Sequence, residues 1–311
     1  MNRFLLLLLI PALLTAQEEM LSRTRILMGT YVTISLPKKE NTKISKAFDL
    51  IAKIEHSLST YDPSATLSKL NAVHSIPYDA ILAEALTLSK NYYKETNGYF
   101  DITIGSISKK LYHFGEEKTY SPSKAELISA TLNIDGIHIE KSSVRSDRGI
   151  VIDLGGMGKG YTVDKVASWL KAQHITEGRI ALSGDIRCLT SCELSLQSPF
   201  GEQTFTTIVS KIDNFSVSTS GTYRRYATKK SEHHLIDPKT ASQGKAFVSV
   251  SLFTEGNNSK IDAYATAVSV MPKEKALAFL KKHTEIGYVI VEPDGNILFG
   301  NLKKFLEITW E

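Results

Sequence analysis

A glycine-rich turn with one lysine is the part of this sequence that most directly suggests chemistry. The stretch VIDLGGMGKGYTVDKV covers residues 151–166 and places four glycines and Lys159 between an apolar run and a segment with helical spacing. Glycines let backbone N–H groups approach a ligand closely, and the N-terminus of a helix attracts negative charge. The turn is therefore a candidate phosphate site. The alternative is a tight strand-to-helix connection with a solvated lysine.

This turn does not match either of the common nucleotide motifs. A Walker-type loop needs glycine five residues before the Gly-Lys pair and Ser or Thr after the lysine, and those positions hold Asp153 and Gly160. The glycines at 156, 158 and 160 run G-x-G-x-G, whereas the dinucleotide fingerprint is G-x-G-x-x-G. Neither standard nucleotide fold is supported.

Four further segments carry more polar and aromatic residues in short runs than packing requires. They are LSTYDPSATLSKLN (58–71), GYFDITIG (98–105), STSGTYRRYATKKSEHHLIDPKTA (218–241) and KIDAYATAV (260–268). Together with MGT (28–30) and DLGGMGKGYTVD (153–164), and in this order along the chain, they resemble the ApbE family of FAD:protein FMN transferases. The resemblance covers residues 28–271, nearly the whole chain after its leader.

The resemblance implies an α+β fold with mixed, largely antiparallel sheets and packed helices, in an ApbE-like (T-fold-like) architecture. It also implies a Mg²⁺-dependent enzyme that splits the pyrophosphate of FAD, releases AMP and esterifies FMN to a threonine or serine hydroxyl of an acceptor flavoprotein. Phosphoryl-type transfer depends mostly on positioning and charge neutralisation, which a metal ion and a nearby lysine supply.

By position, Asp262 and Thr266 match the metal-binding side chains of the family, and Gly156 matches the residue that gives a backbone carbonyl. Residues at i and i+4 of a helix face the same side, so the two side-chain oxygens converge. Such oxygen ligands suit Mg²⁺. Without the other motifs, Asp262 and Thr266 would be read as a helix-start aspartate and a buried threonine bonded to its own helix. Some family members place a second carboxylate where this chain has Ala265.

The flavin site implied by the resemblance draws on several segments. Tyr61 is the natural stacking partner for the isoalloxazine ring, since aromatic faces favour stacking. Asp153 and Asp101 are acceptors for sugar or base donors, or alternatively caps of turns. The matching positions are Met28, Tyr61, Tyr99, Phe100, Asp101, Asp153, Lys159 and Ile236.

His234 matches the histidine before the IDP motif of the family and is the candidate base for the acceptor hydroxyl, because histidine titrates near neutrality. The alternative is that His234 only bonds Asp237 and holds the loop. The residues Thr219, Ser220 and Gly221 match a TSG turn that shapes the nucleotide pocket. Ala241 replaces a glycine usual in the family, which predicts that this turn needs no left-handed residue.

Three functions are compatible with this site. The leading one is an exported flavin transferase that modifies the extracytoplasmic subunit of a membrane redox complex. The second is an FAD pyrophosphatase that yields FMN and AMP without an acceptor, and the third is a non-catalytic FAD-binding protein. Asp262, Thr266 and Lys159 argue against the third, which needs no metal.

The pattern of apolar residues predicts the elements that position these residues. Helical spacing predicts helices over Lys43–Leu58, Ile81–Thr96, Tyr161–Ala172, Ile261–Val270 and Pro272–His283. A capped short helix is predicted in SPSKAELISATL, within a surface excursion around 106–147. RILMGTYVTISLP is predicted as a first strand and GIVIDLG as a buried strand. Helices interspersed with hairpin-like strand pairs favour α+β.

Length and composition exclude some functions and indicate a location. The 311 residues carry 37 Lys and Arg against 33 Asp and Glu, a net charge of +4 that is too small to indicate nucleic acid as a partner. The start, MNRFLLLLLIPALLTA, is typical of a signal peptide over residues 1–16, followed by a single domain over 17–311. We expect export to the periplasm or another extracytoplasmic space. The alternative is an uncleaved anchor, although the apolar run is short for a stable span.

The only cysteines are Cys188 and Cys192. An exported protein meets an oxidising environment, in which the pair is either a disulfide or two free thiols on either side of a turn.

Overall fold

The computed structural model describes residues 18–311, so the predicted signal peptide lies outside the described residues. The helices are α1 (Asn41–Leu58), α2 (Thr66–Val73), α3 (Ala80–Glu95), α4 (Gly105–Ser108), α5 (Lys124–Ser129), α6 (Gly158–Ala172), α7 (Asn258–Val270) and α8 (Lys273–Lys282). The strands are β1 (Met20–Leu27), β2 (Thr30–Pro37), β3 (Ser75–Pro77), β4 (Ile137–Ile139), β5 (Ser143–Ser146), β6 (Arg179–Leu182), β7 (Asp185–Cys188), β8 (Glu193–Gln197), β9 (Thr204–Ser210), β10 (Phe215–Gly221), β11 (Ile236–Asp237), β12 (Ser242–Gln243), β13 (Ser249–Glu255), β14 (Gly287–Val291), β15 (Ile297–Gly300) and β16 (Leu306–Trp310).

The main sheet has eight strands in the order β1-β2-β6-β7-β10-β13-β14-β15, and its neighbouring strands are antiparallel. Smaller sheets have the orders β16-β9-β8, β3-β5-β4 and β11-β12. The α+β class with largely antiparallel sheets is therefore confirmed. Among the described residues, no helix combines the length and apolar character needed to cross a bilayer.

Alternation along the strands gives the main sheet two different faces. Val32 and Ile34 of β2 pack with Phe48 of α1 and Val166 of α6, so helices cover one face. On the other face, Val217 of β10 belongs to a second apolar cluster together with residues of β8, β9 and β16. Because successive residues of a strand point to opposite faces, the main sheet packs against helices on one face and against the sheet β16-β9-β8 on the other.

The segment predicted as one first strand is a hairpin, which corrects that prediction. Strands β1 and β2 pair from Met20 with Pro37 to Leu27 with Thr30, leaving Met28 and Gly29 as the turn. Both turn residues have positive φ, 53° and 68°, as a two-residue hairpin turn requires. Met28 is apolar and so continues the pattern of a strand, which is why alternation alone does not predict this turn.

The run GIVIDLG is buried but forms no regular strand, which corrects a second prediction. Ile150 and Ile152 are fully buried, yet the only strand pairing is a single bridge between Val151 and Ile104. The side-chain amide of Asn71 donates to the Ile152 carbonyl at 2.9 Å and accepts from the Ile152 N–H at 2.8 Å. A side chain thus replaces a neighbouring strand.

The five long helices occur where the sequence predicts them, with ends that differ by a few residues. The capped helix is also confirmed as α5, since Ser123 and Glu126 form a capping box. Helix α2 and strand β16 were not predicted. Helix α2 buries only Leu67 and Leu70, too few residues to establish a period.

The segment 106–147 contains both exposed and buried parts. Helix α5 has no buried residue. Ile107, Tyr112 and Phe114 are buried, however, and pack against Ile236. The segment therefore contributes to the interior beside the candidate flavin site.

Cys188 and Cys192 form a disulfide. It joins the end of β7 to the residue before β8, two strands that belong to different sheets. Of the two alternatives left by the sequence, the structure has the bonded one.

Candidate active site at one end of the main sheet

Several turns meet at one end of the main sheet. The N–H of Ser183, in the β6–β7 turn, donates to the Tyr31 carbonyl at 3.3 Å, and the N–H of Thr219 donates to the Gly184 carbonyl at 3.1 Å. The N-terminal part of α6 contacts the β1–β2 turn, because the Thr162 hydroxyl lies 3.1 Å from the Met28 sulfur. The glycine turn before α6 therefore opens at this end, as a phosphate site at a helix N-terminus requires.

Helices α6 and α7 touch at Gly160. A Cβ on this residue would lie 2.4 Å from the Asn258 carbonyl oxygen and 2.8 Å from the Asp262 Cβ, so only glycine permits the contact. The Gly160 N–H donates to Asp262 Oδ2 at 3.0 Å. The close approach places the Asp262 carboxylate directly at the N-terminal turn of α6.

Lys159 lies between two buried carboxylates. Its Nζ is 2.8 Å from Asp185 Oδ2 and 3.6 Å from Asp262 Oδ2. Burial lowers the pKa of Lys159, but the two carboxylates outweigh burial and the net pKa is raised, so the ammonium stays charged. Burial and the charge of Asp185 raise the pKa of Asp262 to about 7, against the opposing charge of Lys159.

Three oxygens of different types converge next to this cluster. The Thr266 hydroxyl is 3.3 Å from the Gly156 carbonyl oxygen, and Asp262 lies one helical turn before Thr266. Phe100 closes the other side, since a Cβ on Gly156 would be 3.3 Å from its ring. The structure thus places Gly156 and Thr266 in contact, with Asp262 on the preceding turn of the same helix.

This set of oxygens fits a hard divalent cation. Carboxylate, hydroxyl and carbonyl oxygens are the ligands that Mg²⁺ accepts, with waters and phosphate oxygens completing six positions. The buried Asp185 Oδ2 makes no well-aligned hydrogen bond and is held by the charge of Lys159 alone, so a further oxygen is available nearby. No group of three or more His, Cys, Asp or Glu residues with metal-site geometry occurs in residues 18–311. The candidate site relies instead on a hydroxyl and a backbone carbonyl.

A second cluster lies beside the glycine turn. The Asp153 carboxylate accepts from Gly155 N–H at 2.9 Å and from the Ser108 hydroxyl at 2.8 Å. Burial raises the pKa of Asp153, but Lys109 and these donors outweigh burial and leave it lowered. Asp153 is therefore an ionised acceptor that also caps its own turn.

Tyr61 lies at the open side of this cluster. Tyr61 is 50% exposed, and the Lys109 ammonium donates to its hydroxyl at 2.5 Å and lies 3.9 Å from the centre of its ring. The Lys109 ammonium also donates to the Phe114 carbonyl at 3.1 Å. The exposed part of Tyr61 is therefore accessible to a planar ligand.

Tyr99 and Asp101 are engaged elsewhere. The Tyr99 hydroxyl accepts from Lys275 at 3.1 Å, and Lys239 lies 4.9 Å from the centre of its ring. Asp101 Oδ1 accepts from the Thr103 N–H at 2.8 Å and the Thr103 hydroxyl at 2.6 Å, so Asp101 caps a turn. Phe100 between them is the member of this trio that contacts the glycine turn.

His234 is oriented by a backbone carbonyl. Both its N–H and its Nδ1 are 3.2 Å from the Arg225 carbonyl oxygen, which fixes Nδ1 as the protonated nitrogen and leaves Nε2 as an acceptor. Burial, followed by the charges of Arg225, His233 and Lys159, lowers the pKa of His234 to about 4 despite the bond to Arg225. The imidazole is thus neutral near pH 7.

Asp237, the alternative partner for His234, forms its hydrogen bonds with other residues. Asp237 accepts from the Lys239 N–H at 2.9 Å and the Thr240 hydroxyl at 3.1 Å, and it makes no bond to His234. The neighbouring His233 points into the interior, where its Nε2 lies 3.0 Å from the Gly244 carbonyl.

The prediction for Ala241 is wrong. Its φ is 52°, in the left-handed region, although it replaces a glycine of the family pattern. The turn that Asp237 caps therefore requires this conformation, at a cost of about 1–2 kcal/mol for a residue with a Cβ.

Sequence reasoning missed Asp185, Lys109 and Arg225. Asp185 follows a Ser-Gly turn, Lys109 lies in a segment without a strong pattern, and Arg225 lies in the segment 218–241 but was not assigned a role there. Their roles depend on distances across the fold, so no local spacing could have revealed them.

Comparisons with known proteins identify the family of this chain. A model of the ApbE family matches residues 28–290. The FAD:protein FMN transferase of Klebsiella pneumoniae is 22% identical over 296 residues, covering 92% of this chain and 93% of the relative. The FAD:protein FMN transferase of Vibrio cholerae is 26% identical over 289 residues, covering 86% of each.

Two solved structures share the fold. The ApbE protein of Thermotoga maritima superimposes with a TM-score of 0.80 at 21% identity, covering 91% of this chain and 97% of that chain. The flavin transferase ApbE of Vibrio cholerae gives a TM-score of 0.78 at 22% identity, covering 93% and 100%. The predicted ApbE-like architecture is confirmed. Because the family match spans most of its sequence, this chain belongs to the ApbE family.

Proposed function

We propose that this chain transfers FMN from FAD to a threonine or serine hydroxyl of an acceptor flavoprotein and releases AMP. Relatives that align over most of the chain carry the name FAD:protein FMN transferase. The observation that carries the proposal is the meeting of Asp262, Thr266 and the Gly156 carbonyl beside Lys159 at the N-terminus of α6. Groups more than 100 residues apart converge where a pyrophosphate would bind.

The proposed FAD pose follows the polarity of the site. The pyrophosphate lies at the N-terminus of α6, where the positive end of the helix dipole and Lys159 offset its charge. The isoalloxazine ring stacks on Tyr61, and the ionised Asp153 accepts from sugar or base donors. Met28, Phe100 and Ile236 form apolar walls, whereas Tyr99 and Asp101 support the wall around Phe100.

The oxygens of Asp262, Thr266 and Gly156 would hold Mg²⁺, which when bound withdraws charge from the phosphate oxygens. Lys159 lies within 4 Å of two carboxylates and adds a fixed positive charge next to them. Most of the proposed rate gain comes from this preorganised charge, since phosphoryl-type transfer needs little covalent help from the protein.

His234 is the proposed general base. Its free Nε2 takes the proton from the acceptor hydroxyl while the hydroxyl oxygen forms a bond to the FMN phosphorus. The bond between that phosphorus and the oxygen bridging to AMP breaks, and AMP leaves with the bonding electron pair. The proton passes to solvent, so the products are the FMN ester and AMP.

The proposed location is extracytoplasmic. The leader predicts export, and the Cys188–Cys192 disulfide supports it because such bonds persist mainly in oxidising compartments. The proposed acceptor is accordingly the exported, flavin-carrying subunit of a membrane redox complex.

One assay separates this function from its alternatives. The protein without residues 1–16 is incubated with FAD, Mg²⁺ and an apo-acceptor domain, and both products are weighed by mass spectrometry. FMN covalently bound to the acceptor supports the transferase. Free FMN with an unmodified acceptor supports an FAD pyrophosphatase, and intact FAD supports a binding protein; either result contradicts the proposal.

A further inference from the structure

Strand β8 has an edge with unpaired backbone groups. It is the last strand in the order β16-β9-β8, and Ser210 N–H donates to the Cys192 carbonyl at 2.9 Å just before β8 begins. Hydrogen-bonded pairs alternate along an antiparallel ladder. Because Cys192 is in a bonded pair, the backbone groups of Leu194 and Leu196 form hydrogen bonds with β9. Ser195 therefore directs its N–H and C=O away from β9, and within residues 18–311 they have no backbone partner.

This edge borders a cavity of about 310 Å³. One wall is formed by Ser195 and Gln197 of β8, and the opposite wall by Ser183, Gly184 and Thr219 of the main sheet. The Ser183–Gly184 turn belongs to the sheet end that carries the candidate active site. The cavity therefore opens at the same end.

The cavity is separate from the proposed nucleotide site. Of the TSG residues assigned to the nucleotide pocket, Thr219 and Gly221 line this cavity instead, and only Ser220 lies on the strand face of Ser218. Ile186 and Val217 line it, whereas their neighbours Asp185 and Ser218 bond each other at 2.6 Å on the face that carries Lys159. Because adjacent residues of a strand face opposite sides, the sheet itself divides the two spaces. FAD bound at Lys159 therefore leaves the cavity free for another molecule.

A short series of contacts joins β8 to the proposed base. Gln197, the last residue of β8, accepts a hydrogen bond from the Arg224 guanidinium. The next residue, Arg225, holds His234 through its carbonyl oxygen at 3.2 Å. A chain lying along β8 and leaving past Gln197 is thus directed toward His234.

We propose that the acceptor protein docks an extended segment as an added strand on the free edge of β8, which delivers its hydroxyl to His234. Unpaired edge groups are satisfied by another strand, and alternate side chains of such a strand enter neighbouring pockets. The exposed Arg224 supplies a positive charge for a carboxylate of the acceptor. This inference rests on the proposed transferase function, since only a transferase has a protein substrate.

The test removes the outward N–H while leaving the pairing with β9 intact. Ser195→Pro does so, because proline is tolerated at outward positions of edge strands. The matched control is Thr24→Pro on the edge strand β1. The Lys38 N–H donates to the Glu19 carbonyl, so Glu19 and every second residue after it bond β2. Thr24 lies between two of these residues, and its N–H therefore points outward. We measure kcat/KM for the acceptor domain and, separately, FAD affinity.

We expect Ser195→Pro to lower kcat/KM for the acceptor at least tenfold with FAD affinity retained, and Thr24→Pro to transfer like the wild type. Transfer by Ser195→Pro at the wild-type rate overturns the proposal. Should that variant misfold, hydrogen exchange of the wild-type chain decides. Slower exchange in residues 193–197 when the acceptor domain is added supports docking on β8, and unchanged exchange there refutes it.

Failure of the proposed function gives a different result. A wild-type chain that hydrolyses FAD but labels no acceptor domain contradicts the transferase, and the docking proposal falls with it. Labelling by the wild type together with unaffected labelling by Ser195→Pro contradicts the docking surface alone.

Discussion

The Thr266 hydroxyl donates to the Gly156 carbonyl oxygen at 3.3 Å across 110 residues of sequence. One helical turn earlier, Asp262 accepts from the Gly160 N–H at 3.0 Å. Helix α7 therefore contacts the glycine turn at two points with the same spacing in both segments. The position of α7 against α6 sets the geometry of the candidate metal site, and the predictions for Asp262 and Gly160 depend on this contact.

Asp262→Asn should reduce Mg²⁺-dependent AMP release about 100-fold or more, and Asp262→Ala should abolish it. The amide retains the bond from Gly160 N–H but loses the negative charge, and Lewis-acid assistance by a metal amounts to several kcal/mol. The measurement is AMP release together with calorimetry of Mg²⁺ binding in the presence of FAD. Asp294→Asn, an exposed carboxylate, serves as the control. Normal turnover of Asp262→Ala would refute the metal assignment.

His234→Ala should slow transfer about 10²- to 10⁴-fold while FAD remains bound, because it removes only general-base catalysis. FAD affinity is followed by flavin fluorescence and transfer by the mass of the acceptor. His138→Ala, which changes an exposed histidine, should behave like the wild type. An unchanged transfer rate in His234→Ala would remove this residue from the mechanism.

The pH dependence should reflect a histidine that is neutral at ordinary pH. With the pKa of His234 lowered to about 4 by burial, Arg225, His233 and Lys159, the base form persists well below neutrality. Unfolded histidine has a pKa near 6.5, so between about 6.5 and 4 the unfolded chain binds the extra proton. The stability due to His234 is therefore lost as pH falls through this window. Urea unfolding of the wild type and of His234→Gln between pH 7 and 4 measures this loss of stability. If the free energy of unfolding fell equally in both proteins, the assignment to His234 would be contradicted.

Gly160→Ala should destabilise the fold by about 1–3 kcal/mol, the usual cost of overpacking. A methyl group there would lie 2.4 Å from the Asn258 carbonyl, so α6 and α7 must separate. Gly158→Ala, two residues earlier, is the matched control, since its Cβ would be 3.9 Å from its nearest neighbour. Urea denaturation compares the two variants. Equal midpoints would show that the helices tolerate the change.

Reduction of the Cys188–Cys192 disulfide should lower the free energy of unfolding by about 2 kcal/mol, as expected for a short closed loop. The measurement is urea denaturation with and without dithiothreitol. The double variant Cys188→Ser with Cys192→Ser should be less stable by a similar amount and insensitive to the reductant. A reductant effect of the same size in that variant would assign the loss to another cause.

Local patterns predicted the helices well and the strands less well. The helices α1, α3, α6 and α8 bury a periodic face, which a sequence displays directly. The hairpin at Met28 and the unpaired run at Ile152 depend instead on a backbone conformation and on the amide of Asn71, which lies 81 residues away. Neither is encoded in a local period.

The sequence by itself determined the α+β class, the family resemblance, and the residues expected at the turn and on α7, because these are set by residue type and spacing. Only the tertiary structure decided that Asp185 shares Lys159 with Asp262, that the Arg225 carbonyl orients His234, and that β8 keeps a free edge beside the same sheet end. Distances between groups far apart in sequence arise when the helices and sheets pack. A linear pattern carries no information about which carboxylate finally meets a buried lysine.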